Sequence, residues 1–366
     1  MRIPFLDLKA QYASIKPEID EAIQSVIDSC QFVGGSYVKH FERSFAAFSG
    51  ASHAVGASSG TSAIHLALVA LGIGPEDEVI TPCNTFIATT EAISHCGARP
   101  VLVDVEEDTQ LIDPAAIEAA ITRRTKAIVP VHLYGQAADM SAIRAIANKH
   151  GLKTVADAAQ AHGADINGDR RAILGDCTTF SFYPGKNLGA FGDAGVVVTD
   201  SEGTAGLMRA LADHGSSRKY HHFAEGWNYR LDGIQAAVLD VKLRYIDEWT
   251  EQRRSRAARY DAAFAGSSVI PVATAPGRRH VYHLYVVRVK DRDTMIGQLG
   301  DRGIASGIHY PFPLHLQPAY EYLGMGEGTC PHAEKVIREI ISLPIFPELT
   351  DEMVDEVAAA VIEFNG

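Results

Sequence analysis

The sequence predicts an α/β protein: a large domain with a mostly parallel mixed sheet flanked by helices, then a smaller C-terminal α/β domain. From about residue 53 to 200, short apolar segments alternate with helical patterns, as in βαβ units. From about residue 267 a different rhythm begins. We therefore expect a boundary near residue 250, between a large domain (1–250) and a small domain (251–366).

The elements follow in chain order. Residues 1–50 are expected to form an arm and helix that pack on the large domain. Ile64, Leu68 and Leu71 recur at helical spacing, and Asp113-Pro114 is a helix start with an Asp cap and a Pro in the first turn. Helices are thus predicted at 62–71, 85–96, 113–121 and 139–150, and strands at 78–82, 100–105, 126–135, 152–159, 180–182 and 196–198.

The C-terminal third is predicted to begin with one long helix at 234–263, rich in Arg and acidic residues. A strand at 283–289, a helix at 293–301 and an amphipathic helix from Asp351 follow.

Composition excludes several classes of function. The net charge of −12, from 33 basic and 45 acidic side chains, argues against a nucleic-acid or anionic-membrane partner. The five cysteines show no zinc-type spacing and are scattered, as expected for reduced thiols of a cytoplasmic protein with no metal site. The N-terminal segment lacks a secretion-type apolar core, and no run is long enough to span a membrane.

Lys186 is the first candidate for chemistry. It stands in SFYPGKNLGAFGDAGVVVT (181–199), on a Pro184-Gly185 turn between two apolar strands. Surface lysines usually lie on polar helix faces, whereas a lysine here suits a reactive amine that forms a Schiff base. A solvated loop lysine fits the local sequence equally well, so other residues must decide.

A small-residue turn at 58–61 runs directly into a helix. The start of a helix offers unpaired N–H groups and a positive dipole end, which suit a phosphate, and Gly60 permits close approach. An ordinary Ser/Thr cap without a ligand explains the same residues. The turn is neither a Walker A nor a GxGxxG motif.

Asp157 ends an apolar strand, where an unpaired carboxylate is costly to bury. A protonated pyridine nitrogen would be a suitable partner, and so would a helix cap or a structural ion pair. Gln160 follows three residues later and would reach the same ligand. Phe86, just after another strand end, would stack on a flat ring, although a core Phe fits equally well.

Together these residues supply an amine for an imine, a carboxylate for a pyridinium, a phosphate cradle and a stacking ring. That is the set which pyridoxal 5′-phosphate requires, with the pyridoxamine form as its intermediate state.

The chain then resembles the fold-type I aminotransferases, and more specifically the DegT/StrS-type sugar aminotransferases that act on nucleotide-linked keto sugars. The resemblance covers essentially the whole chain. It is carried by the motifs SSGTSAIHLAL, DAAQAHGA, SFYPGKNLG, GWNYRLDGIQAA and GIHYPFPLH.

The resemblance implies a role for each matching residue. Lys186 would hold the cofactor aldehyde and Asp157 its pyridine nitrogen. The remaining cofactor contacts would be Gly60, Thr61 and Ser181 to the phosphate, Gln160 to the ring hydroxyl, Phe86 to the ring face, and Asn228 reaching the phosphate of the other subunit in a homodimer. On the substrate side it implies Tyr183, His309, Tyr310 and His315.

Two details refine the resemblance. Relatives with His in place of the lysine are dehydratases, and this chain has Lys186. Many relatives read GDGG or GEGG where this chain has Gly192-Asp193-Ala194-Gly195, which puts the close backbone approach there in some doubt.

The segment HGSSRKYHH (214–222) places Arg218, Lys219 and Tyr220 in a Gly/Ser-rich loop. In an acidic protein, such a loop would bind the pyrophosphate of a nucleotide-linked substrate, as a mobile loop. A simple exposed basic loop is the other interpretation.

The segment SFYPGKNLGA is similar to family members that aminate C3 of dTDP-linked sugars. The resemblance thus implies PLP-dependent transamination from L-glutamate to a dTDP-3-keto-6-deoxyhexose, within deoxyamino sugar biosynthesis for an O-antigen or an antibiotic. Amination at C4 of a dTDP or UDP sugar, or of a keto-cyclitol, would use the same chemistry. A cofactor-binding regulator without turnover would need a DNA-binding element, and none is visible in the sequence.

Overall fold

A computed structural model describes residues 2–366. The α-helices are α1 (Leu8–Ser29), α2 (Gly35–Ser49), α3 (Gly60–Ala70), α4 (Ala88–His95), α5 (Pro114–Ala120), α6 (Met140–His150), α7 (Glu202–Ala212), α8 (Gly233–Leu243), α9 (Ile246–Phe264), α10 (Arg292–Asp301), α11 (Pro331–Ile337) and α12 (Asp351–Asn365). Short 3-10 helices lie at Leu133–Gly135, Arg170–Ile173, Leu314–Leu316 and Pro318–Leu323. Within the described range, no helix is both long and apolar enough to cross a membrane.

The strands are β1 (His53–Ala57), β2 (Glu78–Pro82), β3 (Arg99–Val103), β4 (Thr125–Ile128), β5 (Lys153–Asp157), β6 (Asp165–Ile166), β7 (Cys177–Ser181), β8 (Gly195–Thr199), β9 (Ser216–Arg218), β10 (His221–His222), β11 (Ile270–Pro271), β12 (Arg278–Arg279), β13 (Tyr285–Arg288) and β14 (Ile340–Leu343).

Seven strands form the large sheet, in the order β1-β8-β7-β5-β4-β2-β3. The run from β7 to β3 is parallel, whereas β8 is antiparallel to both of its neighbours. The carboxyl ends of β5 and β7 therefore open on the same edge of the sheet, which is where ligands bind in such folds.

Helices cover both faces of this sheet because its strand residues alternate between the two sides. Val196 and Val198 of β8 pack with Phe41 and Phe45 of α2 on one face. Val197 packs on the other face with residues of α3 and α7. The mostly parallel sheet between two helical layers confirms the predicted fold class.

A three-stranded antiparallel sheet, β11-β13-β14, forms the centre of the C-terminal region. α12 packs on α9 in the same apolar core. The predicted boundary near residue 250 falls inside α9. The first residues depart from the expected packing: Ile3 pairs with Ile304 and lies in this core, whereas α1 contacts α8.

Two element predictions were wrong. The strand predicted at 126–135 stops at Ile128, because Pro130 lacks an N–H and the chain then turns with Tyr134 at φ 60°. The single helix predicted at 234–263 is two helices, separated by a turn at Arg244 and Tyr245, where φ of Tyr245 is −103°.

Candidate active site

Asp157 ends β5 on the edge where the parallel strands open. Its side chain is buried, with Oδ2 accepting from the Thr89 hydroxyl at 2.8 Å and Oδ1 from the Ala159 N–H at 3.1 Å. Burial raises the pKa of this carboxyl, opposed by those two hydrogen bonds and by the charge of Lys186. Within the described residues 2–366, the hydrogen bonds to this carboxylate come from neutral donors, so a cationic partner would stabilise it strongly.

Lys186 lies on the tight turn between β7 and β8, held by a hydrogen bond from its N–H to the Tyr183 carbonyl at 2.8 Å. Part of its side chain is accessible, but the amine itself is desolvated, which lowers its pKa from 10.5 to about 8 despite the charge of Asp157. The Nζ atom is 3.5 Å from Nε2 of His283. Lys186 is therefore far more readily deprotonated than an ordinary lysine.

The start of α3 meets the end of β7. Ser59 caps the helix by accepting from the Ser62 N–H at 3.1 Å, which leaves the Gly60 and Thr61 N–H groups without intrahelical partners. A Cβ on Gly60 would be 2.6 Å from the Cβ of Ser181. The backbone of Gly60 thus lies directly against Ser181, so the three residues expected to bind the phosphate are neighbours.

Gly195, at the start of β8, is equally constrained, because a Cβ there would be 2.2 Å from the Ser59 carbonyl oxygen. The methyl of Ala194 instead points into the core under the sheet. The residue that departs from the GDGG pattern is therefore Ala194. Gly195, whose backbone approaches the Ser59 carbonyl closely, is still a glycine.

Gln160 links the sheet edge to the C-terminal region. Its Oε1 accepts from the Tyr134 N–H at 2.6 Å, and its Nε2 donates to the Tyr310 hydroxyl at 3.0 Å. The Tyr134 hydroxyl donates in turn to the His309 carbonyl at 2.6 Å. The predicted cofactor residue Gln160 and the predicted substrate residues His309 and Tyr310 thus form one connected group.

Phe86 and Tyr183 lie at the accessible rim of this group. Phe86 is 53% exposed, just before α4, and its ring centroid is 5.5 Å from that of Tyr310. Tyr183 is 60% exposed and adjoins the lysine turn. Phe86 is not a core residue, and its ring is free to cover a planar ligand.

His309 is held in place by contacts on two sides. Its Nδ1 lies 2.8 Å from the Ser342 hydroxyl, and its ring stacks on Phe5. Burial, together with the charge of Lys186, lowers its pKa to about 4. His309 is thus neutral at ordinary pH and acts through hydrogen bonds.

His315 requires a correction. We expected it to line the substrate side, but its side chain is fully buried and bound to Glu334, with Nε2 3.0 Å from Oε1. Its position in a 3-10 helix, with Leu314 tied by its N–H to the Cys83 carbonyl, directs it inward. A side chain with no accessible surface does not line an open cleft.

The basic segment is a short hairpin of β9 and β10, not an irregular loop. Arg218, Lys219 and Tyr220 are all exposed, and Tyr220 is 85% accessible. Asn228 is exposed as well and pairs with Asp213. Among residues 2–366, no hydrogen bond joins this hairpin or Asn228 to the residues around Lys186 in the same chain. These residues are Asp157, Gln160, His309 and Tyr310, and together with the lysine they are called the Lys186 group below.

Sequence reasoning missed three contributors to the site. Thr89 binds Asp157, while His283 and Asn187 flank the lysine, with His283 Nδ1 3.3 Å from Asn187 Oδ1. Asn187 also donates to the Val281 carbonyl at 2.9 Å. Asn187 was adjacent to the lysine and could have been proposed, whereas nothing in the spacing of Thr89 or His283 marks them.

The arrangement fits pyridoxal phosphate on its own geometry. A desolvated amine and a buried carboxylate share one sheet edge with the start of α3, where an added Cβ at Gly60 would collide with Ser181 and one at Gly195 with the Ser59 backbone. A lysine for the aldehyde and a carboxylate for the ring nitrogen are the groups that PLP-dependent enzymes provide.

Comparison with known proteins gives the family. Residues 13–362 match the model of the DegT/DnrJ/EryC1/StrS aminotransferase family. The chain belongs to this family and is a PLP-dependent aminotransferase.

The similar proteins cover nearly the whole chain. A "pleiotropic regulatory protein" of Geobacillus stearothermophilus is 48% identical, over 100% of this chain and 99% of that protein. A dTDP-3-amino-3,4,6-trideoxy-alpha-D-glucose transaminase of Streptomyces venezuelae is 48% identical, over 99% and 96%. The crystal structure of S. venezuelae DesV with a ketimine intermediate is 47% identical, covers 99% of this chain and 98% of that chain, and has a TM-score of 0.97.

Proposed function

We propose that the protein transfers the amino group of L-glutamate to C3 of a nucleotide-linked keto sugar, namely a dTDP-3-keto-6-deoxyhexose. The observation that carries the proposal is the desolvated Lys186 amine, whose charge interacts with the buried Asp157 carboxylate, on the sheet edge where the Gly60 backbone packs against Ser181. The name of the 48% identical transaminase supports C3 and dTDP. A further relative, 44% identical, is named for a UDP-linked 3-keto sugar, which also supports C3.

Bound PLP supplies an aldehyde and a conjugated ring that spreads negative charge. With PLP bound, Lys186 would hold the aldehyde at rest, and its free amine would carry the proton that leaves the donor α-carbon. Asp157 keeps the pyridine nitrogen protonated. Gly60, Thr61 and Ser181 hold the phosphate, Gln160 orients the ring hydroxyl, and Phe86 covers the ring.

On the substrate side, we propose that Tyr183, His309 and Tyr310 orient the sugar. The neutral His309 suits hydrogen bonding to sugar hydroxyls. Arg218, Lys219 and Tyr220 bind the pyrophosphate and base. Because these side chains are exposed and, among residues 2–366, make no hydrogen bond to the active-site residues of their own chain, we propose that they serve the site of the partner subunit.

A homodimer is therefore part of the proposal, with Asn228 crossing to the phosphate of the neighbouring site. Phe32, Val33 and Phe191 are 43–52% exposed around the start of α8. Both Phe32 and Phe191 are bonded to that start, through Gly233 and Gln235. Clustered apolar exposure of this kind marks a protein interface.

We also propose that the protein is located in the cytoplasm. Its five free cysteines support this, because disulfides are rare in that compartment.

Replacing Lys186 with Ala tests the reaction. We expect the visible band of the bound cofactor to change and transamination to fall by at least about 10³-fold, because both the anchoring amine and the proton carrier are lost. The assay follows 2-oxoglutarate formation from L-glutamate with 3-keto and 4-keto dTDP and UDP sugars. Full turnover by the variant would reject the role of Lys186, and a preference for 4-keto sugars would favour the C4 alternative.

A further inference from the structure

Three buried side chains with sulfur or imidazole ligand atoms meet outside the Lys186 group. They are Cys83, His315 and Cys330, and one ligand atom from each lies within 4.8 Å of the others. None of the three residues is more than 1% exposed. Thiolate sulfur and imidazole nitrogen are the preferred ligands of zinc.

The fold brings these residues together from distant parts of the chain. Cys83 directly follows β2, and its carbonyl accepts from the Leu314 N–H at 2.8 Å, which fixes the start of the 3-10 helix that carries His315. Cys330 is the residue before α11. Local sequence spacing gave no signal of this group, because each ligand comes from a different element.

The orientation of His315 is the second observation. Its Nε2 is 3.0 Å from Oε1 of Glu334, and that carboxylate also accepts from the Gly328 and Cys330 N–H groups at 2.8–3.1 Å. Nδ1 is buried and has no hydrogen-bond partner among the described residues. Metal-binding histidines characteristically give one ring nitrogen to a carboxylate and the other to the metal.

We propose that Cys83, His315 and Cys330 form a structural site for a thiophilic cation, Zn²⁺ in the first instance, with Glu334 orienting the imidazole. Zn–S bonds of about 2.3 Å in a tetrahedron place two sulfurs about 3.8 Å apart, so the group must contract by up to about 1 Å on binding. Rotation of the two cysteine side chains can supply this. Water completes the fourth position.

A metal there would tie the end of β2, next to the strand-end residues Asn84 and Phe86, to the C-terminal segment that begins α11. Because the site is buried, the metal would enter during folding, and its binding free energy would add to stability. The cation has no contact with the reacting groups, so it does not enter the transamination steps.

The test uses the full-length, PLP-loaded enzyme, expressed with Zn²⁺ and desalted. Elemental mass spectrometry should find about one zinc per chain. Cys330→Ser should reduce this at least tenfold, whereas Cys177→Ser, which alters an equally buried thiol outside the group, should retain it. Co²⁺ loaded in place of Zn²⁺ should show thiolate-to-cobalt absorption in the control and not in Cys330→Ser.

Three results would overturn the proposal. They are less than a tenth of an equivalent of zinc in the unsubstituted enzyme, the same zinc content in Cys330→Ser, and a Cys83–Cys330 disulfide in non-reduced peptide mass spectra. If Cys330→Ser fails to fold, His315→Gln offers the same comparison, because it removes the ring ligand and keeps both thiols.

Discussion

Lys186 has a lowered pKa because its amine has lost water, and the charge of Asp157 recovers only part of that loss. An amine with a pKa of about 8 is neutral in about a tenth of molecules at pH 7, whereas an ordinary lysine is neutral in fewer than one in a thousand. Desolvation of the amine, and not burial of the whole turn, is thus what lowers the pKa of this lysine.

The rate of PLP attachment to cofactor-free enzyme should therefore depend on pH. Only the neutral amine attacks, so the rate should rise with pH up to about 8 and then level off. Rapid-mixing absorbance measurements would give the midpoint. Asp157→Asn removes a charge that favours the ammonium form and should lower the midpoint. A midpoint near 10.5 in the native chain would contradict the desolvation argument.

Gly195→Ala should weaken PLP binding by tenfold or more, because the new methyl would lie 2.2 Å from the Ser59 carbonyl and displace the start of α3. Equilibrium binding of PLP measures this. Gly206→Ala in α7, where an added Cβ meets nothing within 4 Å, is the matched control. Thermal unfolding without cofactor separates lost binding from lost folding, and equal PLP affinity in both variants would refute the proposed cradle.

At the level of single residues, the sequence identified site candidates where a reactive side chain occupies an unusual position in the predicted fold. A carboxylate at a strand end and a lysine on a glycine-rich turn are unusual enough to be noticed, and both lie on the predicted edge. His315 misled because a motif shows that a histidine is present but not which way its ring points. Thr89 and His283 contribute through packing between remote elements, which spacing does not encode.

At the scale of elements, helix and strand existence was predicted well and their limits less so. α3, α5 and α6 lie where their caps and periodicity place them. No Gly or Pro lies at the break between α8 and α9, so the sequence gives no signal of it. At the break, Tyr245 stacks on Trp249 within a separate apolar cluster. Such a break is decided by tertiary packing, which a periodic pattern does not reveal.

The β9–β10 hairpin is expected to contribute to binding of the nucleotide sugar. Arg218→Ala and Lys219→Ala should each raise the KM for the nucleotide sugar about tenfold, since a charge-assisted phosphate contact is lost. The half-reaction with L-glutamate should be unchanged, because glutamate carries no pyrophosphate. Arg123→Ala, at another exposed position, is the control. A change in the glutamate half-reaction, or no change in KM, would remove the hairpin from the substrate site.

At the scale of the whole molecule, the single chain is an incomplete enzyme under our proposal. The Lys186 group lies in one chain, while Asn228 and the basic hairpin are exposed on its surface and, within residues 2–366, form no hydrogen bond to that group. A twofold assembly that exchanges these residues would complete two sites at once.

Mixing two inactive variants tests this directly. Lys186→Ala removes the amine, and Asn228→Asp places a negative charge against the neighbour's phosphate. If sites are shared, each mixed dimer has one intact site, and an equal mixture should recover about a quarter of native activity. Refolding the two variants together, against each alone, measures the recovery. No recovery despite mixed dimers, detected by mass spectrometry, would place Asn228 in its own chain's site.

The two constrained glycines also bear on how this enzyme can be altered. If the phosphate is held by backbone at Gly60 and by the approach that Gly195 allows, no conservative exchange exists at either position, because every other amino acid adds a carbon where 2.6 and 2.2 Å remain. The part of the site that anchors the cofactor would then tolerate almost no amino-acid substitution at these two positions. Laboratory evolution toward new sugars would have to proceed through exposed positions such as Phe86, Tyr183 and the hairpin, and libraries should be directed there.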